Sequence, residues 1–232
     1  VTAGVRFNER ALVVGPTESG KSEFLNVLFS QFQCQRLLVD SKMGGEWTIA
    51  GVEPVSDPAA IDWAQPVIHY VTASTEPEEA GELFGRCCER RNLVVCVHEL
   101  NDLTGYQTQR TPETVSRYLA QGGANGLGLL GASQEPVDMP KRARSMIQHC
   151  FTMAPPIDEE HLKVICRIVS GVSAAEMREE IEAVQREHGN HAFIHWPRGA
   201  LLEPVAYPPL PDWMRKQNIV QRRNPHARER TG

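Results

Sequence analysis

The chain has 232 residues and a formal net charge of −5, enough length for one large α/β domain with a short appendage and too little for a second catalytic domain. The acidic total argues against a surface coated in basic charge for nucleic-acid binding. No apolar run approaches the ~20 residues that span a bilayer and the N-terminus lacks a secretory layout, so a soluble protein is expected; the six cysteines form no C-x-x-C pair and read as reduced core residues of an intracellular protein.

The first predicted element is the strand Leu12–Val14, which runs into Gly15-Pro16-Thr17-Glu18-Ser19-Gly20-Lys21-Ser22. This is a complete G-x-x-x-x-G-K-[ST] phosphate loop, and the helical pattern Glu23–Phe32 follows it. The glycines let backbone N–H groups turn inward around a β-phosphate, Lys21 bridges the β- and γ-phosphates, and Ser22 offers a hydroxyl to Mg²⁺ at a helix N-terminus. The eight loop residues and Glu23 behind them are therefore expected to hold a nucleoside triphosphate, taken as ATP, with Mg²⁺.

Further strands are expected at Arg36–Val39, Val67–Val71, Leu93–Val97, Leu127–Ala132 and Cys150–Met153, most of them continuous apolar runs as in strands buried on both faces of a parallel sheet. Between them, Thr75 and Glu78 read as a capping box ahead of a helix whose one face holds Ala80, Leu83, Phe84, Cys87 and Cys88. Thr111-Pro112 opens another, with Val115, Tyr118 and Leu119. The alternation predicts an open, mainly parallel sheet with helices on both faces and a ligand beyond the strands' carboxyl ends.

Leu93–Val97 ends in His98-Glu99, the place of a Walker B element, where Glu99 would polarise an attacking water. Most such sequences carry an aspartate in the slot that His98 fills. Leu127–Ala132 ends in Ser133-Gln134. If that strand lies between the phosphate-loop strand and the Leu93–Val97 strand, the Gln134 amide falls beside the γ-phosphate and orients the water.

After Met153, Ala154-Pro155-Pro156 breaks the rhythm, and helices are expected at Asp158–Ile168 and Ser173–Arg186, the second opened by a Ser173/Glu176 capping box. His191–Trp196 and Leu201–Val205 read as a hairpin across Pro197–Ala200. The expected organisation is one domain over residues 1–206, with its core at about 11–153 and a small C-terminal α+β extension at 154–206. Residues 207–232 carry six basic residues against two acidic ones, a +4 segment that leaves −9 on the rest. They read as a flexible tail, either simply solvated or touching phosphates or an acidic neighbouring subunit. His149, His188, His191 and His195 lack metal-site spacing, and Trp47, Trp63, Trp196 and Trp213 lack the spacing of a stacking platform, so both sets read as packing or surface residues.

With its three motif elements in this order, the stretch from about Val13 to Met153 resembles the FtsK/HerA superfamily of DNA-translocating ATPases. Ala132-Ser133-Gln134-Glu135-Pro136 looks like that group's Ala-Thr-Gln-x-Pro signature, and Leu37-Leu38-Val39-Asp40-Ser41-Lys42 resembles its strand ending in Asp-x-Lys. The resemblance implies a P-loop NTPase fold of RecA-like type, ATP hydrolysis with Mg²⁺, and hexameric rings with ATP sites between subunits. Members with membrane segments, winged-helix modules or added barrels are larger, so the chain is most similar to the genome-packaging ATPases of membrane-containing double-jelly-roll viruses. That implies double-stranded DNA and a capsid or membrane vertex protein as partners, in the host cytoplasm or on the virion. Related translocases carry an arginine just before the sensor strand, where this chain has Gln121-Gly122-Gly123-Ala124. Arg117, or one of Arg142 and Arg144, is then expected to reach the neighbour's γ-phosphate, and Lys141, Arg142 and Arg144 or the 107–110 loop are candidates for DNA contact. A cellular or plasmid HerA-like translocase, a small P-loop nucleotide kinase and a non-motor nucleotide switch remain as other readings.

Overall fold

The apolar runs become strands covered on both faces. The computed structural model describes residues 4–42, 45–74, 76–104, 111–199 and 203–223. In chain order its elements are β1 (Arg10–Val14), α1 (Lys21–Gln31), β2 (Gln35–Asp40), β3 (Trp47–Ile49), β4 (Val67–Val71), α2 (Pro77–Cys88), β5 (Leu93–Val97), α3 (Asn101–Thr104) and α4 (Glu113–Gln121). They continue with β6 (Leu127–Ser133), α5 (Lys141–Ser145), β7 (His149–Met153), α6 (Glu159–Val169), α7 (Ala174–His188), β8 (Phe193–Pro197), β9 (Val205–Tyr207), α8 (Asp212–Arg215) and β10 (Val220–Arg222). The main sheet runs β4-β2-β5-β6-β1-β7-β8-β9, parallel as far as β7, with β8 and β9 an antiparallel edge. This is a mixed α/β fold with a mainly parallel central sheet.

Alternation within each strand sorts the core into two layers. Leu12, Val14, Leu37, Val39, Val95 and Leu129 face α2, α4, α6 and α7. Ala11, Val13, Leu38, Val94, Leu130 and Ala132 face Phe24, Leu25, Leu28 and Phe29 of α1. Tyr118 of α4 ties the first layer to the sheet: its ring meets Phe84 edge-on with centroids 5.0 Å apart, and its hydroxyl donates to the Gly128 carbonyl at 2.7 Å. Among the described residues no helix is long and apolar enough to cross a membrane.

Several expectations shift in detail. Helix α2 begins on Glu76-Pro77 with no side-chain cap, so the Thr75/Glu78 box is not how it starts; Thr75 itself lies outside the described residues. The Ser173/Glu176 capping box is present, with both reciprocal bonds. The hairpin forms, but its second strand begins at Val205 rather than ending there, and positions 200–202 lie outside the described residues. His149 and His195 are packed on each other, with ring nitrogens 2.9 Å apart and Glu9 Oε2 3.0 Å from His149. The largest departure concerns the expected tail: residues 207–223 fold onto the core. β10 pairs antiparallel with β3, Arg215 meets Glu23 at 3.4 Å, and Arg222 meets Glu46 at 2.7 Å. The apolar Ile219 and Val220 pack with the α1 layer, which anchors a segment whose charge alone suggested a solvated end. Residues 224–232 and the 107–110 loop lie outside the described residues.

Gly128 is where the N-terminal segment crosses β6: a Cβ there would stand 1.8 Å from the Phe7 carbonyl oxygen, a backbone atom. Gly128→Ala is expected to destabilise the fold by about 3 kcal/mol or more, read as a lower urea midpoint at unchanged slope.

Candidate active site

The loop Gly15–Ser22 connects β1 to α1 at the carboxyl edge of the sheet. Its glycines are required by space and by dihedral. A Cβ on Gly15 would lie 2.6 Å from Ser19 Oγ and 2.8 Å from Met153 Cβ, and Gly20 sits at φ +93° immediately before α1. Glu18 also takes a positive φ of 62°, and with Thr17 it forms the exposed tip. Ser19 N–H closes the turn on the Pro16 carbonyl, while its buried Oγ has no partner. Lys21 is only 7% exposed, and its Nζ donates to the Pro16 carbonyl at 2.6 Å. Burial pushes the Lys21 pKa down to about 8, with the Glu99 charge pulling the other way, so the side chain is mostly cationic at neutral pH. Ser22 is half-buried in the first turn of α1, and exposed Glu23 is tied to Arg215.

Strand order brings the other two elements to this loop. β6 lies between β1 and β5, with Val14 opposite Ser133 and Val97 opposite Gly131. Gln134 therefore emerges beside the phosphate loop, where its Oε1 accepts from Thr17 Oγ1 at 2.7 Å. Its backbone N–H points at Glu99 Oε2 from 3.4 Å, a long contact. Lys21, Glu99 and Gln134 thus converge on one cleft. Burial pushes the Glu99 carboxyl up to about pKa 7, helped by the nearby Asp102 charge and opposed by hydrogen bonds from Gln134, Asn101 and Ser133. Glu99 Oε1 is buried and has no hydrogen-bond partner.

His98 does not act as a substitute carboxylate. Its Nε2 is 2.7 Å from Asn26 Oδ1 on α1, its ring lies against the Trp47 indole with centroids 4.5 Å apart, and burial drops its pKa to about 3. The neutral ring, in its Nε2–H tautomer, ties the end of β5 to α1. The neighbouring Asp40 is committed elsewhere: it is fully buried and accepts backbone N–H bonds from Glu46 at 2.5 Å and Trp47 at 2.9 Å, which fixes the loop ahead of β3. The signal for Asn26 was present in the sequence, as the one polar residue inside Phe24-Leu25-Asn26-Val27-Leu28-Phe29, but its partner was not. Asn101, 2% exposed with its Oδ1 unpartnered, also escaped the sequence reading.

No group of three or more His, Cys, Asp or Glu side chains suited to a metal is found among the described residues. A Mg²⁺ would thus depend on oxygen donors of another kind, the Ser22 hydroxyl and the phosphates themselves, with the orphaned Glu99 Oε1 as the nearby carboxylate oxygen; this hard-oxygen set fits that ion. Arg117 and Arg144 stay away from the cleft. Arg117 is exposed beside Asn125 and Leu127, where β6 begins, and Arg144 lies by the start of β7, both at the opposite edge of the sheet. A cavity of about 510 Å³ sits beside the cleft rather than over the loop, lined by Trp47, His69, Thr72 and Arg223 among others.

The fold and the loop define a P-loop NTPase core of RecA-like type. No protein-family model matches the sequence, and no curated protein matches it. Solved structures do match in fold. The genome packaging NTPase B204 from Sulfolobus turreted icosahedral virus 2 in complex with AMPPCP superimposes with a TM-score of 0.69 at 14% identity, over 89% of this chain and 100% of that one. The same protein with ATP-γS gives 0.66 at 14% identity over the same shares. B204, the DNA-packaging ATPase from Sulfolobus turreted icosahedral virus, gives 0.60 at 13% identity over 88% of this chain and 98% of that one. At such identities the likeness is one of fold.

Asn26→Ala is expected to cost about 1–3 kcal/mol in chemical denaturation, because it leaves the His98 N–H buried without an acceptor. The double change Asn26→Leu with His98→Leu should recover much of that loss, giving a coupling energy in a double-mutant cycle.

Proposed function

We propose that this chain is an ATP-hydrolysing DNA translocase that drives double-stranded DNA into a preformed viral capsid, working as a ring of identical copies, on the hexameric plan, at a capsid or membrane vertex. The observation that carries the reading is the convergence of Lys21, Glu99 and Gln134 at the tips of three adjacent strands, linked by the Thr17–Gln134 bond. Its support beyond that comes from the fold shared with B204, itself described as a genome packaging NTPase.

In this reading the loop amides and Lys21 hold the triphosphate and offset charge on the β- and γ-phosphates. Mg²⁺, held by the Ser22 hydroxyl, supplies further charge neutralisation when bound. Glu99 accepts a proton from the attacking water, and the Gln134 amide fixes that water's direction. Gln134 also touches Thr17, so loss of the terminal phosphate is felt at the end of β6. Arg117, exposed and without an ion pair among the described residues, would supply charge to the site of an adjacent copy. The protein would act in the host cytoplasm and on the virion.

Phosphate release measured with and without duplex DNA is the primary test. Stimulation by DNA is expected; turnover that needs a phosphoryl acceptor would make the chain a kinase instead, and binding without turnover a switch. Lys21→Ala should abolish nucleotide binding or turnover. Glu99→Gln should still bind ATP while hydrolysing it about 100-fold or more slowly. Wild-type turnover should climb as pH rises through about 7, where the buried Glu99 carboxyl loses its proton and becomes able to accept one. The residual rate of Glu99→Gln should lack that limb in a pH profile.

A further inference from the structure

At the edge of the sheet opposite the phosphate loop, Lys141, Arg144, Arg167 and Arg198 line one pocket of about 270 Å³, together with Ser145, Val164 and Ile168. No carboxylate lines it. Several cations elsewhere are ion-paired: Lys163 with Glu159 and Glu160, Arg86 with Glu82, Arg186 with Glu182, Arg215 with Glu23, and Arg222 with Glu46. None of the four pocket cations has such a partner among the described residues, in a protein whose net charge is −5.

The four come from three elements: Lys141 and Arg144 from α5, Arg167 from α6 and Arg198 from just after β8. Arg198 follows β8, and its Nη1 donates to the carbonyls of Ser145 and Ile147 while its backbone N–H bonds Gln148. Arg144 lies on α5 with its Nε buried and unpartnered. Arg167 occupies the last turn of α6, where the helix C-terminus favours a cation. Burial holds the Arg144 guanidinium below its usual pKa, with the charge of Arg167 acting the same way. Four like charges thus repel one another around a cavity with no carboxylate in its lining, and an anion seated among them would offset the repulsion. Three arginines with one lysine suit a phosphate group, whose several oxygens can take forked guanidinium donors together with a point charge.

We propose that Lys141, Arg144, Arg167 and Arg198 form a phosphate-binding pocket that grips the backbone of double-stranded DNA. This rests on the reading of the chain as a DNA motor. It gives Arg144 a role in holding the polymer in place of one at a neighbour's γ-phosphate. It also separates the grip from the hydrolytic cleft by the full length of the strands. Contact with phosphates alone carries no sequence preference and depends strongly on salt.

The test is binding of a short random-sequence duplex by fluorescence anisotropy across a salt series, for wild type and Lys141→Gln/Arg167→Gln. The double variant is expected to bind about tenfold or more weakly, with the slope of log affinity against log salt flatter by about 2. Arg167→Lys should retain most of the affinity. Lys163→Gln/Arg186→Gln, which removes the same charge from ion-paired positions, should change little. Equal affinity and slope in wild type and Lys141→Gln/Arg167→Gln would overturn the pocket's role while leaving the motor reading intact. Failure of the wild type to bind duplex at all would overturn both. A free nucleotide is the other source of phosphate: if ADP binds Lys21→Ala protein and loses that binding when Lys141→Gln/Arg167→Gln are added, the pocket takes nucleotides and the DNA assignment falls. If the double variant alters oligomeric state with DNA affinity untouched, an acidic surface of a second copy is the occupant and the assignment falls as well.

Discussion

The insertion of β6 between β1 and β5 is the constraint on which the cleft depends. Two ladders of backbone hydrogen bonds fix where its last residues emerge, with Val14 beside Ser133 and Val97 beside Gly131. A slip of one residue would turn every side chain of β6 to the other face. Both cores resist that slip, since Leu127 and Leu129 are committed to one layer and Leu130 and Ala132 to the other. The glycines of the strand fit the same register. Gly128 gives way to the crossing N-terminal segment, and Gly131 lies beneath Leu100, whose Cδ2 would be 3.0 Å from an added Cβ. Gln134 reaches Thr17 because the sheet leaves it nowhere else to emerge.

Burial then sets the chemistry of what the sheet has assembled. Lys21 and Glu99 are pushed in opposite directions, to about 8 and about 7, by the same loss of solvent. The negative charge of a triphosphate would restore the lysine's hold on its proton, and the carboxyl is left near the point at which it can take one up. His98 matters here by being neutral. Asp102 already raises Glu99, and a second carboxylate in the slot next to it would raise it further by like-charge repulsion. The histidine avoids that and uses its nitrogen to brace α1 through Asn26.

Motif spacing and apolar runs made much of this legible. Most of the six parallel strands are largely apolar runs, and the phosphate loop, Glu99 and Gln134 each follow one of them, so fold class and the three cleft residues could be read from local pattern. What could not be read depends on partners distant in sequence. Trp47-Thr48-Ile49 is too short to announce a strand, and it becomes one only because residues 220–222 lie against it. The basic composition of the C-terminal stretch suggested solvation, yet Ile219 and Val220 are enough to dock it. Asn26 and His98 are each unremarkable until α1 and β5 face each other. The cationic pocket likewise joins α5, α6 and the turn after β8, which no single window of sequence contains.

The pairing of β3 with β10 also orders the chain's assembly in time. β3 belongs to no other sheet, so the strand that seats Trp47 on His98 has no partner strand until residues 220–222 arrive, only local bonds such as those to Asp40 and Val52. Bringing together segments this far apart carries a loop-closure cost and slows the last step of folding. In a polypeptide emerging from its N-terminus, the phosphate loop and its sheet can form early, while the wall of the cleft nearest His98 is among the final pieces to set.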